Sequence, residues 1–239
     1  MKIISNRGLA RGSAFQLLSI RDKFPRGLTF FKNFANIPAG VYAAASFGYL
    51  LNADFALGSP VATITSTDGN FTIANGGYNA TTANDDVLKY LISGNRTAAQ
   101  ETIVIKFSVL SGNFANDGIE RWITCSDTKV RGFRKSTTGT APAFRPNTDD
   151  SPAVVANAST VPLLNTTYTF ALVCQHSSPY AQVYLNGVSE GTYTTGDFVN
   201  PAWGTNFYLG VYSDGSKQGN IVVTSISIFN RPLSASDLI

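Results

Sequence analysis

From Thr167 onward, apolar and polar residues alternate with a period of two. Tyr168, Phe170, Leu172 and Cys174 share one face of the first run, with Thr169, Ala171 and Val173 on the other. That pattern predicts a strand. Ala181, Val183 and Leu185 share a face in the next run, which Asn186-Gly187 closes. Asn-Gly accepts positive φ at both central positions of a two-residue turn, so it predicts a hairpin. Phe207, Leu209 and Val211 alternate again. In the last run Val222, Thr224, Ile226 and Ile228 are predicted to face one way, with Val223, Ser225 and Ser227 facing the other. Upstream, Ile103, Ile105, Phe107 and Val109 alternate with Val104, Lys106 and Ser108. Further strands are expected at Val61–Thr65, with Phe71–Ile73 pairing back across Asp68-Gly69, at Val87–Ser93, and at Arg121–Cys125 and Val130–Lys135 around Asp127-Thr128-Lys129. Residues 136–160 read as a long loop or a ragged pair of short strands. Short strands separated by turn clusters at this spacing predict an all-β sandwich.

Residues 1–54 break the rhythm. Ala14–Ile20 fits a helical turn or two, Pro25-Arg26-Gly27 a turn and Leu28–Phe31 a short strand, while Tyr42–Leu51 is small and aromatic and fits helix or strand. The expected division is an irregular arm over 1–54 and one sandwich domain over 55–239. Charge sharpens it. Residues 1–34 carry seven basic residues against Asp22 alone, a net +6, so a total of +3 leaves −3 on the rest. A basic arm on a mildly acidic body suggests a tether, with Arg7, Arg11, Arg21, Lys23 and Arg26 as its anchoring residues. These cations are spread rather than clustered, which argues against a nucleic-acid surface.

Arg7 and Arg11 interrupt the first 24 residues, so no secretion signal is expected, and no apolar stretch is long enough to span a membrane. Cys125 and Cys174 each sit in an apolar run and read as buried free thiols rather than a disulfide. The sequons at Asn70, Asn79, Asn95, Asn157 and Asn165 read as a by-product of a chain rich in Asn and Thr.

Four phrases then occur in order: Tyr168-x-Phe170-Ala171-Leu172-Val173, Ala181-x-Val183-Tyr184-Leu185-Asn186-Gly187-Val188, Phe207-Tyr208-Leu209-Gly210, and Ile226-Ser227-Ile228-Phe229-Asn230-Arg231-Pro232-Leu233-Ser234. Together they resemble the second half of a laminin-G-like, concanavalin-A-like jelly roll. The resemblance implies an antiparallel two-sheet sandwich and leaves the function open, because this fold hosts enzymes, lectins and scaffolds. Asp54-Phe55-Ala56-x-Gly58-Ser59 before a Thr-rich strand resembles the opening phrase of tailed-bacteriophage structural proteins.

Candidate chemistry is sparse. Glucanases of this fold place carboxylates on one strand as E-x-D-x-E, so that two can act as acid and nucleophile. The three glutamates here, Glu101, Glu120 and Glu190, have no acidic residue two positions away. His176 is the only histidine, no G-x-S-x-G accompanies it, and one His with two separated Cys makes no zinc set. No nucleotide-binding glycine loop occurs. The expectation is therefore a non-enzyme without a cofactor. A structural Ca²⁺ has Asp85 and Asp86 as its first candidates, although acidic loop pairs are commonly solvated turns. Trp203, Tyr208 and Tyr212, with Tyr180 and Tyr184, are candidate glycan contacts, since sugar binding needs aromatic faces and orienting polar groups; the competing reading places them in the core or an assembly interface. Trp122 reads as core.

The functional expectation is a virion structural protein assembled in the host cytoplasm, a capsid decoration or cement protein fastened to the major capsid protein by its arm and clustered as a homo-oligomer, with a trimer as the guess. The alternative is a lectin-like tail-fibre or host-recognition module holding a surface glycan.

Overall fold

The computed structural model describes residues 26–57, 62–66, 68–80, 87–91, 100–110, 121–125, 131–136, 143–147, 160, 163–175, 180–193, 206–209 and 221–238. Among them the strands in chain order are β1 (Leu28–Asn33), β2 (Gly40–Ala43), β3 (Phe55–Ala56), β4 (Ala62–Thr65), β5 (Asn70–Ala74), β6 (Gly77–Ala80), β7 (Val87–Leu91), β8 (Gln100–Val109), β9 (Arg121–Cys125), β10 (Arg131–Ser136), β11 (Ala143–Asn147), β12 (Thr167–Gln175), β13 (Tyr180–Leu185), β14 (Val188–Tyr193), β15 (Asn206–Leu209) and β16 (Ile221–Phe229). They form two antiparallel sheets. The larger runs β14-β13-β12-β8-β16-β6-β5-β2, with β1 and β3 added alongside β16; the smaller runs β11-β10-β9-β15-β7-β4. This is the expected all-β sandwich.

The core lies between the layers. Ile103, Ile105, Phe107 and Val109 of β8, Tyr168, Phe170, Leu172 and Cys174 of β12, and Phe71 and Ile73 of β5 meet Leu88, Tyr90 and Leu209 from the smaller sheet. Period-two alternation delivers each of these sets to one face. Cys174 is buried in this core. The side chains of Cys125 and Trp122 lie outside the described residues.

β16 departs from the alternation. Its register against β8 shifts between Val223 and Ser225. This bulge at Thr224 reverses the phase of the pleat. Ile221 and Val223 therefore join Ile226 and Ile228 in the core, whereas strict alternation had put Val223 opposite Ile226. On its other edge β16 pairs with β6 along Ile221–Val223 and with β1 along Ser225–Phe229.

That pairing moves the start of the sandwich. The sequence boundary at residue 55 is corrected to Leu28 among the described residues. β1 lies in the larger sheet, β2 pairs with β5, and Phe30, Phe34 and Leu51 are core. Lys32, counted above as part of a tether, is an interior residue of β1: its Nζ is 3.0 Å from Asp54 Oδ1 and lies 5.9 Å from the centre of the Phe34 ring. Asp54 Oδ2 accepts from the Asn33 N–H. These contacts hold the turn before β3 against β1. What the charge pattern obscured was a part-buried ion pair, with the cation and its partner 22 residues apart.

The expected hairpin across Asp68-Gly69 is also corrected. β4 pairs with β7 in the smaller sheet, and β5 pairs with β2 and β6 in the larger. Asp68 Oδ1 accepts from Ser66 Oγ at 2.7 Å and from the Asn70 N–H at 2.9 Å, making a corner between sheets. The hairpin lies one strand later, at Asn75-Gly76, where φ is 53° and 80°. Asn186-Gly187 forms the hairpin expected of it, with φ of 49° and 77°.

The closing Asn-Arg-Pro-Leu-Ser phrase ties the described ends of the chain together. Arg231 Nε donates to the Arg26 carbonyl and the Asn230 N–H to the Gly27 carbonyl. Thr102 Oγ1 donates to the Arg231 carbonyl and accepts from the Leu233 N–H. Leu233 and Leu238 then cover Ala171, Val173, Tyr184 and Phe229 on the outer face of the larger sheet, forming a second apolar cluster. Among the described residues no helix is long and apolar enough to cross a membrane.

Candidate functional site

Two surfaces gather chemistry-bearing side chains. The first is the outer face of the smaller sheet. Leu88, Tyr90 and Leu209 point inward, so alternation turns Lys89 and Tyr208 outward. Register sets Thr63, Lys89, Tyr208 and Thr124 in one row across β4, β7, β15 and β9. Lys89 Nζ lies 6.0 Å from the centre of the Tyr208 ring, a cation–π distance. Tyr208 is only 6 % exposed, so its ring offers no open face for a ligand to stack on.

The second surface closes one side of the sandwich, where β2 ends the larger sheet and β4 ends the smaller. After β2 the chain makes the short helix α1 (Ala44–Phe47) and a 3-10 turn over Gly48–Leu51. Leu51 turns into the core, and its carbonyl accepts from the Tyr90 hydroxyl at 2.6 Å. Burial of the Tyr90 hydroxyl pushes its pKa well up, and nearby Tyr78 and Asp54 add to the shift, so it stays a donor. The remaining aromatic residues of the segment turn outward in a ladder of rings. Phe71, in the core, stacks on Tyr42 at 5.3 Å and 20°; Tyr42 meets Phe47 edge-on at 5.7 Å; Phe47 lies 6.5 Å from Tyr49. Phe47 is 41 % and Tyr49 63 % exposed. The Tyr42 hydroxyl donates to the Pro38 carbonyl at 2.7 Å, and the Ala44 N–H donates to the Gly69 carbonyl at 2.8 Å. Two exposed rings are thus held from below by packed aromatics and anchored at both ends of the segment.

Other polar groups serve the fold. Glu190 accepts from Thr160 through both carboxylate oxygens. Glu101 is buried in β8 at the register position of Cys174. Of the described sequons, the Asn79 side-chain oxygen is buried, Asn70 is bonded into the Asp68 corner, and Asn165 is exposed at a turn with φ of 55°. Among the described residues no group of three or more His, Cys, Asp or Glu converges as a metal site would.

Of the sequence-nominated glycan contacts, the described side chains are those of Tyr184 and Tyr208. Tyr208 is covered, and Tyr184 is buried in the outer apolar cluster. Trp203, Tyr212, Asp85, Asp86 and His176, and the side chain of Tyr180, lie outside the described residues, as do Arg7, Arg11, Arg21 and Lys23. Arg26 stands where the described chain begins, its carbonyl held by Arg231. The residues missed were Phe47 and Tyr49. Their signal was present: aromatic side chains in a segment with no apolar alternation to send them inward.

The family profile described as the concanavalin A-like lectin/glucanases superfamily matches residues 113–238. No curated protein matches the sequence. Among solved structures, a Trypanosoma rangeli sialidase bound to 2,3-difluorosialic acid as a covalent intermediate is similar at a TM-score of 0.62 and 14 % identity, over 90 % of this chain and 32 % of that one. A second Trypanosoma rangeli sialidase structure gives 0.61 and 14 %, over 96 % and 38 %. The receptor-binding domain of botulinum neurotoxin C/D mosaic serotype gives 0.63 and 9 %, over 88 % and 49 %. The chain thus spans about a third to a half of the structures it matches. At these identities the likeness shows the fold. It also corrects the expectation of a non-enzyme. Part of a sialidase chain, about a third of it, shares this architecture, so the missing E-x-D-x-E pattern bears on one glucanase constellation and not on carbohydrate-active proteins at large.

Proposed function

Because the chain belongs to the concanavalin A-like lectin/glucanase superfamily, we propose that it is a carbohydrate-binding domain whose sugar contact is the ring ladder on the closed side of the sandwich. One observation carries this reading: Phe47 and Tyr49 are exposed aromatic residues on a segment braced by Tyr42 and Phe71. Pyranose rings present C–H faces that stack on such surfaces, and preorganised rings keep the ordering cost of binding low. The neighbours named as a sialidase and a receptor-binding domain support a role at glycosylated surfaces. The test is a glycan array probed with the full chain and with Tyr49→Ala. Reproducible binding that the substitution abolishes supports the proposal; binding that Tyr49→Ala leaves intact rejects the ladder as the site.

A second reading, a virion decoration protein anchored on a capsid shell as an oligomer, retains one supporting observation. Lys2, Arg7, Arg11, Arg21, Lys23 and Arg26 precede the first strand with only Asp22 against them. Since residues 28–34 belong to the sandwich, the truncation that tests it removes residues 1–25. Unchanged co-sedimentation with the shell rejects the anchor.

A further inference from the structure

We infer that the ring ladder takes an uncharged sugar and discriminates against a sialylated one, which is the opposite of what the sialidase likeness alone would suggest. This rests on the reading of the ladder as a sugar contact. From Asn33 to Leu88 the sequence contains no Lys, Arg or His, while it contains Asp54, Asp68, Asp85 and Asp86. Every element that builds the ladder (β2, α1, the following 3-10 turn, β4 and β5) falls inside that stretch. The two cations that bracket it are committed elsewhere. Lys32 is buried against Asp54 and Phe34. Lys89 lies across from Thr63 of β4 but sets its ammonium over Tyr208 of β15, on the far side of β7.

A backbone hydrogen bond joins the ladder's segment to a corner that carries a carboxylate. The Ser66–Asn70 corner is bonded to the first residue of α1 through the Ala44 N–H and the Gly69 carbonyl. At that corner the Asp68 carboxylate is pinned by Ser66 Oγ and the Asn70 N–H. A carboxylate accepts hydrogen bonds from sugar hydroxyls well and repels a second carboxylate. Placing a sialic acid here would desolvate an anion without an opposing charge from these elements.

Area points to a sugar over a protein partner. At about 150–250 Å² per aromatic side chain, the open fractions of Phe47 and Tyr49 come to roughly 200 Å². A stable protein interface needs about 800 Å² per partner, whereas one or two stacked sugar rings need far less.

The experiment titrates the full chain with neutral galactose-, glucose- and mannose-terminated oligosaccharides, and with sialylated counterparts of the galactose-terminated probes. Tyr49→Ala and Asp68→Asn are run in parallel, and thermal midpoints confirm folding. The expected result is a neutral probe bound at least about tenfold tighter than its sialylated counterpart, with binding lost in Tyr49→Ala and the gap narrowed in Asp68→Asn. Tighter binding of the sialylated probe, lost in Tyr49→Ala, overturns the charge inference and leaves the ladder as the site. Binding of any probe that Tyr49→Ala does not weaken, or binding of none, overturns both.

Discussion

Lys32 and Asp54 form an ion pair whose two ends differ in their access to water, so the two single substitutions should differ in cost. The Lys32 side chain is 5 % exposed and that of Asp54 35 %. At 3.0 Å separation, the attraction is about 5 kcal/mol at an effective dielectric of ~20, most of it offset by desolvation. Asp54→Asn keeps an acceptor for the Asn33 N–H but leaves the ammonium buried beside the Phe34 ring without its carboxylate. Stranding a fully buried charge costs about 3–5 kcal/mol. Because the site opens to water on the Asp54 side, the expected loss is about 2–3 kcal/mol, or roughly 5–10 °C in thermal midpoint for a chain of this size. Lys32→Met removes the buried charge and fills its channel with an apolar stem. The carboxylate keeps the Asn33 N–H and solvent, so the expected loss is below about 1 kcal/mol. The double variant should sit near Lys32→Met. Urea unfolding followed by circular dichroism measures all three against the parent chain. A Lys32→Met loss equal to or larger than that of Asp54→Asn would refute the argument, because it would mean that the attraction outweighs the desolvation asymmetry.

Gly77→Ala should be among the costliest small substitutions: an added Cβ would fall 2.3 Å from the Val223 carbonyl oxygen, forcing β6 off β16. A loss of about 2–3 kcal/mol in urea midpoint is expected, and a neutral result would show that the strands can separate freely. Thr102→Val removes a hydroxyl that bonds both Arg231 and Leu233 at nearly constant shape. It should cost about 1–3 kcal/mol and speed amide exchange over residues 230–238, whereas unchanged exchange there would discount the clamp. The Asp237 carboxyl is held below its ordinary 3.8 first by the Ser234 N–H, then by Arg231 and the Ser234 hydroxyl. A depressed folded-state value means stability that is present above the unfolded pKa and lost as pH falls below about 4 through the folded value. The urea midpoint should therefore drop across that window, and less so in Asp237→Asn; identical slopes in both proteins would remove Asp237 from the account.

Much of the larger sheet was legible because its central strands obey one rule. β8, β12 and β13 alternate without interruption, and Asn186-Gly187 names its own turn. The failures have physical causes. Strict alternation misplaced Val223 because the Thr224 bulge appears only in the pairing with β8. Asp68-Gly69 reads as a hairpin turn, yet Asp68 spends its acceptors on Ser66 and Asn70 and the chain crosses between sheets. Residues 28–54 looked like an arm because they lack steady alternation and Lys32 was counted with the six cations before residue 28 as surface charge, while Phe30, Phe34 and Leu51 carried the opposite message. At the candidate site, aromatic residues inside strands drew attention, although Tyr184 and Tyr208, both on outer sheet faces, are covered, Tyr184 by the cluster that Leu233 and Leu238 close. Phe47 and Tyr49 escaped notice because a four-residue helix and a 3-10 turn leave no periodicity to read.

The central claim is a location, and amide and aromatic chemical shifts report location directly. The isotope-labelled full chain would be titrated with whichever oligosaccharide binds it best. The account predicts perturbations centred on Val41, Tyr42, Phe47, Tyr49 and the Asp68 corner. Shifts centred instead on Thr63, Lys89 and Tyr208, across the outer face of the smaller sheet, would contradict it.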